Sequence, residues 1–212
     1  MIAAIPFLTF PPNLKVRVTM RSTIPMLATL LLLVMPTLGQ AADPTGEPNF
    51  KYPVIKDHGG IVTLSDAAHQ PKANSKVLLD ITSDAKSGSV IKGFDRAALI
   101  LNQYSEAGAG MDNGFKMAII LHGPATKAAL SDTGYGKHTD PYLNAKGKNK
   151  NPNLELIGKL KEAGVKIYVC GQALAHHGFA TSDVASDVEV AVSAATVNIN
   201  SQMDGYAYLP FH

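Results

Sequence analysis

Val77-Leu78-Leu79-Asp80-Ile81 is the stretch that decides the fold. A short, nearly continuous apolar run is what a strand buried on both faces requires, and such strands belong to parallel sheets. Phe115 to Leu121 and Val165 to Cys170 have the same character, and Val188 to Val192 is a shorter fourth run. Between these runs the pattern turns helical. After the polar loop from Thr82 to Ser89, residues Val90, Phe94, Ala97, Ala98, Leu101 and Tyr104 recur at helical spacing, and Gly108 and Gly110 end the stripe. Ala125 to Leu130 reads as a short helix. Asn151-Pro152 opens another, with Asn as N-cap and Pro at the first helical position. Leu154, Ile157 and Leu160 line its face, and Gly164 suits the left-handed position after its end.

Strands alternating with helices imply right-handed crossovers and a parallel sheet covered on both faces. The expected architecture is a three-layer α/β/α sandwich around a mostly parallel sheet of about five strands. In such sheets ligands bind beyond the carboxyl ends of the strands. That rule selects Thr82-Ser83-Asp84, His122-Gly123 and Cys170-Gly171, which are distant in sequence but share one rim. At 212 residues the prior is about one domain. It is assigned to residues 76–212, preceded by a leader and edge segment over 42–75 in which Gly60 to Leu64 is a short-strand candidate. Residues 131–152 form a long polar loop, of the kind usually kept for function or mobility. A turn or short helix is expected near 180–186. Thr196 to Asn200 alternates like a strand, although its position and length suit a helix, and Tyr206 to Leu209 is a last short strand.

The first 41 residues read as an export signal. Arg21 precedes an apolar run from Ile24 to Leu38, and Leu38-Gly39-Gln40-Ala41 places small residues at both positions a cleavage after Ala41 needs. The apolar core is shorter than the ~20 residues of a membrane span. Met20 is a second candidate start. The expected location is the periplasm or outside the cell, with no membrane attachment after cleavage. The whole chain carries a formal charge of +2, from 19 basic and 17 acidic residues. Residues 1–41 hold Lys15, Arg17 and Arg21 and no acid, so the remainder has 16 basic residues against 17 acids, a net of −1. Arg96 is its one arginine. Nucleic-acid sites favour arginine forks, and no nucleic-acid partner is expected. The composition, 46% hydrophobic and 17% charged, is globular. One cysteine excludes an internal disulfide and cysteine-rich metal clusters.

That cysteine is the main candidate for chemistry. A thiolate is the nucleophile, and Cys170 at a strand's carboxyl end faces loops and helix starts. The plainer reading is a buried cysteine that finishes an apolar strand, because free cysteine is among the most buried residue types. His122, His176 and His177 are near in sequence or on the same rim, and a histidine beside a thiol could shuttle its proton. For the His176-His177 pair the plainer reading is a solvated extended loop. Thiolate with imidazole also suits zinc or copper, but adjacent histidines on an extended segment point apart. No metal and no other cofactor is expected. Gly123-Pro124 lacks the Walker spacing, and no Gly-x-Ser-x-Gly elbow or paired-acid motif is present. Lys137, Lys146, Lys148 and Lys150 read as solvated surface.

Four blocks resemble the DsrE/DsrF-like family, and most closely its exported, single-domain branch. They are Leu121-His122-Gly123-Pro124, then Asn151 to Val165, then Val169-Cys170-Gly171-Gln172-Ala173-Leu174, and finally Gln202 to Phe211. The likeness spans about residues 76–211. It implies an α/β/α sandwich, usually assembled into homo-oligomers, and a link to sulfur metabolism. In sulfur-relay members a cysteine in a comparable region carries sulfur as a persulfide, and Cys170 is the position that matches. The expected site is therefore Cys170 with His122 or His176 aiding proton transfer, and Gly123, Gly171 and Gln172 shaping the loop. The expected partners are a small sulfur compound or a sulfur-relay protein. A non-catalytic oligomeric binding module, with Cys170 as packing, is the competing reading, and a metal site at His122, Cys170 and His176 is a third.

Overall fold

The structure, a computed structural model, describes residues 48–139 and 149–212. The export signal, the start of the leader, Lys146 and Lys148 lie outside the described residues.

Five strands form one parallel sheet. They are β1 (Lys76–Ile81), β4 (Lys116–Leu121), β5 (Lys166–Cys170), β6 (Glu189–Ala191) and β7 (Ala207–Phe211), in the order β6-β5-β4-β1-β7. A two-residue hairpin, β2 (Lys86–Ser87) and β3 (Val90–Ile91), precedes α1 (Lys92–Glu106). The remaining helices are α2 (Asp132–Lys137), α3 (Leu154–Glu162), α4 (Gly171–His177) and α5 (Ala194–Met203). The expected α/β class with a mostly parallel five-stranded sheet is what the chain adopts.

Alternation along the strands divides the sheet into two unlike faces. Leu79, Ile81, Ile119, Leu121, Ile167 and Val169 join Phe94, Ala97, Ala98 and Leu101 of α1 and Leu156, Ile157 and Leu160 of α3 in one large buried cluster. The opposite positions, Leu78, Ala118, Ile120 and Cys170, meet Ala173 and α5 through Ala194 and the half-buried Val197. One face thus carries two helices and a broad apolar layer; the other carries a single helix whose one buried residue is Ala194.

Several boundaries differ from the sequence reading, each for a local reason. The polar loop after β1 contains the β2–β3 hairpin, turned at Gly88 with φ +61°. The segment expected to be a short helix at 125–130 is a 3-10 helix over Gly123–Ala129. The long loop at 131–152 contains α2, capped by the Ser131 hydroxyl, which accepts from Gly134 N–H at 3.1 Å. Lys137 of that helix is paired with Asp183 rather than simply solvated. The stretch Thr196 to Asn200, which alternates like a strand, lies within helix α5, because Ser193 supplies an N-cap by accepting from Thr196 N–H. Gly60 to Leu64 is not a strand; only Ile61 bridges, to Lys51.

Asn151 is not the N-cap of α3; that position is Asn153. Both asparagines are buried and serve as tertiary clamps. Asn151 donates to the carbonyls of Ala128 and Leu130, and Asn153 Oδ1 accepts from Ile91 N–H. Asn102, on α1, does the same for the edge segment. Its side chain accepts from Val54 and Ile55 N–H and donates to the carbonyls of Ile55, His58 and Gly59. Gly59 comes so close to α1 that a Cβ there would lie 2.0 Å from Leu99 N, and its φ is +59°. A side chain is excluded on both counts.

Candidate functional site

The carboxyl ends of β1, β4 and β5 sit side by side, and on the single-helix face they carry polar chemistry. Asp80 interrupts the apolar run of β1 and is only 3% exposed. A buried carboxylate needs partners, and Asp80 has three. Its Oδ1 lies 2.6 Å from His122 Nε2, and its Oδ2 accepts from Asn198 Nδ2 at 2.8 Å and from Tyr208 Oη at 2.7 Å. The cluster joins β1, the residue following β4, helix α5 and strand β7. Holding a proton for Asp80, Tyr208 has its pKa pushed above the usual tyrosine value, chiefly by that hydrogen bond and then by burial. Asn198 Oδ1 is buried beside this cluster with no hydrogen-bond partner.

His122 continues β4 in extended conformation, with φ −153°. Leu121 pairs with Val169 across β4 and β5, so the same register sets His122 level with Cys170. The imidazole nevertheless bonds to β1, on the far side of β4 from Cys170. Where Nε2 donates to the Asp80 carboxylate, Nδ1 is the nitrogen that bears the lone pair in the neutral ring. Asp80 therefore fixes the tautomer and the direction of His122.

Cys170 ends β5 and is the N-cap residue of α4, where its Sγ accepts from Ala173 N–H at 3.4 Å. Cys170 is 5% exposed and packs with Leu78, Ala118, Ile120, Ala173 and Ala194. Among the described residues no hydrogen bond joins it to a histidine. The helix that follows corrects the extended-loop reading of the histidine pair. His176 and His177 form the last turn of α4, both exposed. His176 stands six residues along the helix from Cys170, about 9 Å in rise. His177 Nε2 lies 3.0 Å from the Gly123 carbonyl, and its ring stacks on Phe179.

The glycines and glutamine of the rim have structural occupants. Gly123 takes φ +54°, and its carbonyl also accepts from Thr126 Oγ1 at 2.7 Å. Gly171 does permit a close approach, but the group that approaches is Ala191 O of β6, 2.9 Å from where a Cβ would be. Gln172 Nε2 donates to Val192 O at 3.3 Å. Gly171 and Gln172 thus fasten the end of β6 to α4. Among the described residues no three His, Cys, Asp or Glu side chains come together as metal ligands.

Asp80, Asn198 and Tyr208 are the polar residues that sequence reasoning left out. The available signal was the acid inside a buried run; nothing in sequence order connects it with partners 118 and 128 residues later.

No curated protein matches the chain. Two solved structures align with it over 65% of its length. One is a protein of unknown function from Methanobacterium thermoautotrophicum, 17% identical, with a TM-score of 0.40 and 99% of its own chain covered. The other is the ychN protein from E. coli, 16% identical, with a TM-score of 0.43 and 99% of its own chain covered. The model of the DsrE/DsrF-like family matches residues 76–211, the whole of the sheet and its helices, and the chain belongs to that family.

Proposed function

We propose that this chain is an exported sulfur-handling protein in which Cys170 carries sulfane sulfur as a persulfide. Membership of the family supports a link to sulfur relay. The observation that carries the assignment to Cys170 is its place at the carboxyl edge of the sheet, where Sγ already accepts a backbone N–H. That donor stabilises the negatively charged sulfur of a thiolate.

The step needs no net redox change. The Cys170 thiolate attacks the terminal sulfur of a persulfide or polysulfide, an S–S bond forms at Sγ, and the donor's S–S bond breaks as its thiolate leaves. The thiol proton passes first to a base, and His122 Nδ1 on the same rim is the candidate. Delivery requires a thiol from a second molecule, because the chain holds one cysteine. Burial of the thiol makes entry of the donor the slow event, with Ala194 and Val197 of α5 standing over it.

Intact-mass measurement after exposure to polysulfide tests the reading. One or more added sulfur atoms are expected on the wild type and none on Cys170→Ser. Equal adducts on both proteins, or none on either, would refute it.

A second reading is favoured by the same burial. Enclosed by Leu78, Ala118 and Ile120, Cys170 suits a packing role in a non-catalytic binding module. In that case alkylation proceeds only after unfolding. Either reading includes a homo-oligomer, supported by the exposed apolar side chains Ile199 and Met203 of α5 and Leu209 of β7. Sedimentation of the purified protein tests the assembly.

A further inference from the structure

A second feature of the carboxyl edge lies on the two-helix side of the rim, away from Cys170. The 82–91 segment after β1, the 3-10 helix after β4, Tyr135 of α2 and Asn153 line a half-open recess of about 80 Å³. It is well below the ~300–1,000 Å³ of organic-ligand pockets, and its size suits a small ion. Ile91, Pro124 and Ala128 are the apolar residues of its lining, and Lys86, Lys127, Tyr135 and Asn153 are the residues there that carry hydrogen-bond donors. Asp84 is the one acid in the lining.

The two lysines lack carboxylate partners among the described residues. Lys127 Nζ donates to the His138 carbonyl at 2.8 Å and stands 4.9 Å from the centre of the Tyr135 ring. Lys86 Nζ makes one long contact, 3.5 Å, with the Ser89 carbonyl. Each ammonium has three protons to give. Burial and the charge of Lys86 both hold the Lys127 pKa below the ordinary lysine value. Two cations facing one recess repel each other, and a small anion between them would reverse that cost.

We propose that Lys86 and Lys127, with the Tyr135 hydroxyl, form a binding site for one small tetrahedral oxyanion. Sulfate, thiosulfate and phosphate share the chemistry that would fit: several acceptor oxygens and a compact negative charge. The proposal stands on this cavity and does not depend on Cys170 carrying sulfur.

The test is a titration of the purified protein with potassium sulfate, thiosulfate or phosphate, each against potassium chloride at matched ionic strength. Amide NMR shifts of residues 84–92 and 124–136 are the readout. The expected result is a saturable shift with the oxyanions and none with chloride. Lys127→Gln or Lys86→Gln should weaken binding at least fivefold, and the double variant should abolish it. Asp84→Asn, which removes the opposing charge, should tighten it. Comparing the three salts tells a sulfur oxyanion from phosphate. Shifts equal to those of chloride, or binding that survives the double variant with its thermal unfolding unchanged, would overturn the proposal. A sulfur adduct on Cys170 with no oxyanion binding refutes this site and leaves the sulfur reading intact; oxyanion binding without an adduct does the reverse.

Discussion

The two faces of the sheet are built from the same five strands and answer to different demands. On the face covered by α1 and α3, every inward side chain of the central strands is apolar, and Leu79, Ile81, Ile119 and Leu121 are fully enclosed. On the face covered by α5, the equivalent rows contain Asp80 and Cys170, and the rim adds His122. Burying hydrocarbon stabilises a fold without direction, whereas a buried carboxylate does so only when its partners stand at fixed distances. A face with Asp80 at a central position, satisfied by His122, Asn198 and Tyr208, depends on fixed polar geometry in a way the apolar face does not.

Substitutions can break this comparison. The largest effect should come from the two-helix face. Ile119→Ala empties a fully buried position in the central strand and should cost about 2–5 kcal/mol in denaturant unfolding. Asp80→Ala on the other face should cost about 1–3 kcal/mol, because it strands the donors of His122, Asn198 and Tyr208. A loss on that face equal to that of Ile119→Ala would make Asp80 a plain pillar of the core.

Smaller changes sharpen the contrast. Tyr208→Phe removes one bond to Asp80 at a partly exposed position and should cost about 1 kcal/mol or less. The same residue gives the face an alkaline signature. The folded-state pKa of Tyr208 is raised, so its contribution is complete below the unfolded tyrosine value of about 10 and is lost as pH rises through the folded value. Unfolding free energy should therefore fall at alkaline pH in the wild type and fall less steeply in Tyr208→Phe. Identical slopes would show that the bond to Asp80 does not distinguish the two protonation states.

The same division explains what the sequence disclosed. Val77 to Ile81 and Phe115 to Leu121 announce strands as nearly continuous apolar runs, and the stripe from Phe94 to Tyr104 announces its helix through its period. Cys170 and His122 were legible because they end apolar runs. The Asp80 cluster was not, since Asn198 and Tyr208 reach it only after the chain has passed through β4 and β5. Asn102, Asn151 and Asn153 were hidden for the same reason: a clamp for another segment's backbone leaves no periodic trace. His176 and His177 read as an extended loop because the run Gly171 to His177 is too short for helical periodicity to show. Its helix rests on the Cys170 cap and on Gly178 in the left-handed conformation at its end.

The claim at the centre of this account is that the single-helix face presents a thiol able to accept sulfur in the folded protein. Mass spectrometry of native protein after brief exposure to polysulfide, with the adduct mapped by peptide, tests it most directly. The account predicts added sulfur on Cys170 at native pH and none on Cys170→Ser. A Cys170 that remains unmodified until denaturant is added would contradict it and leave the residue as packing beneath α5.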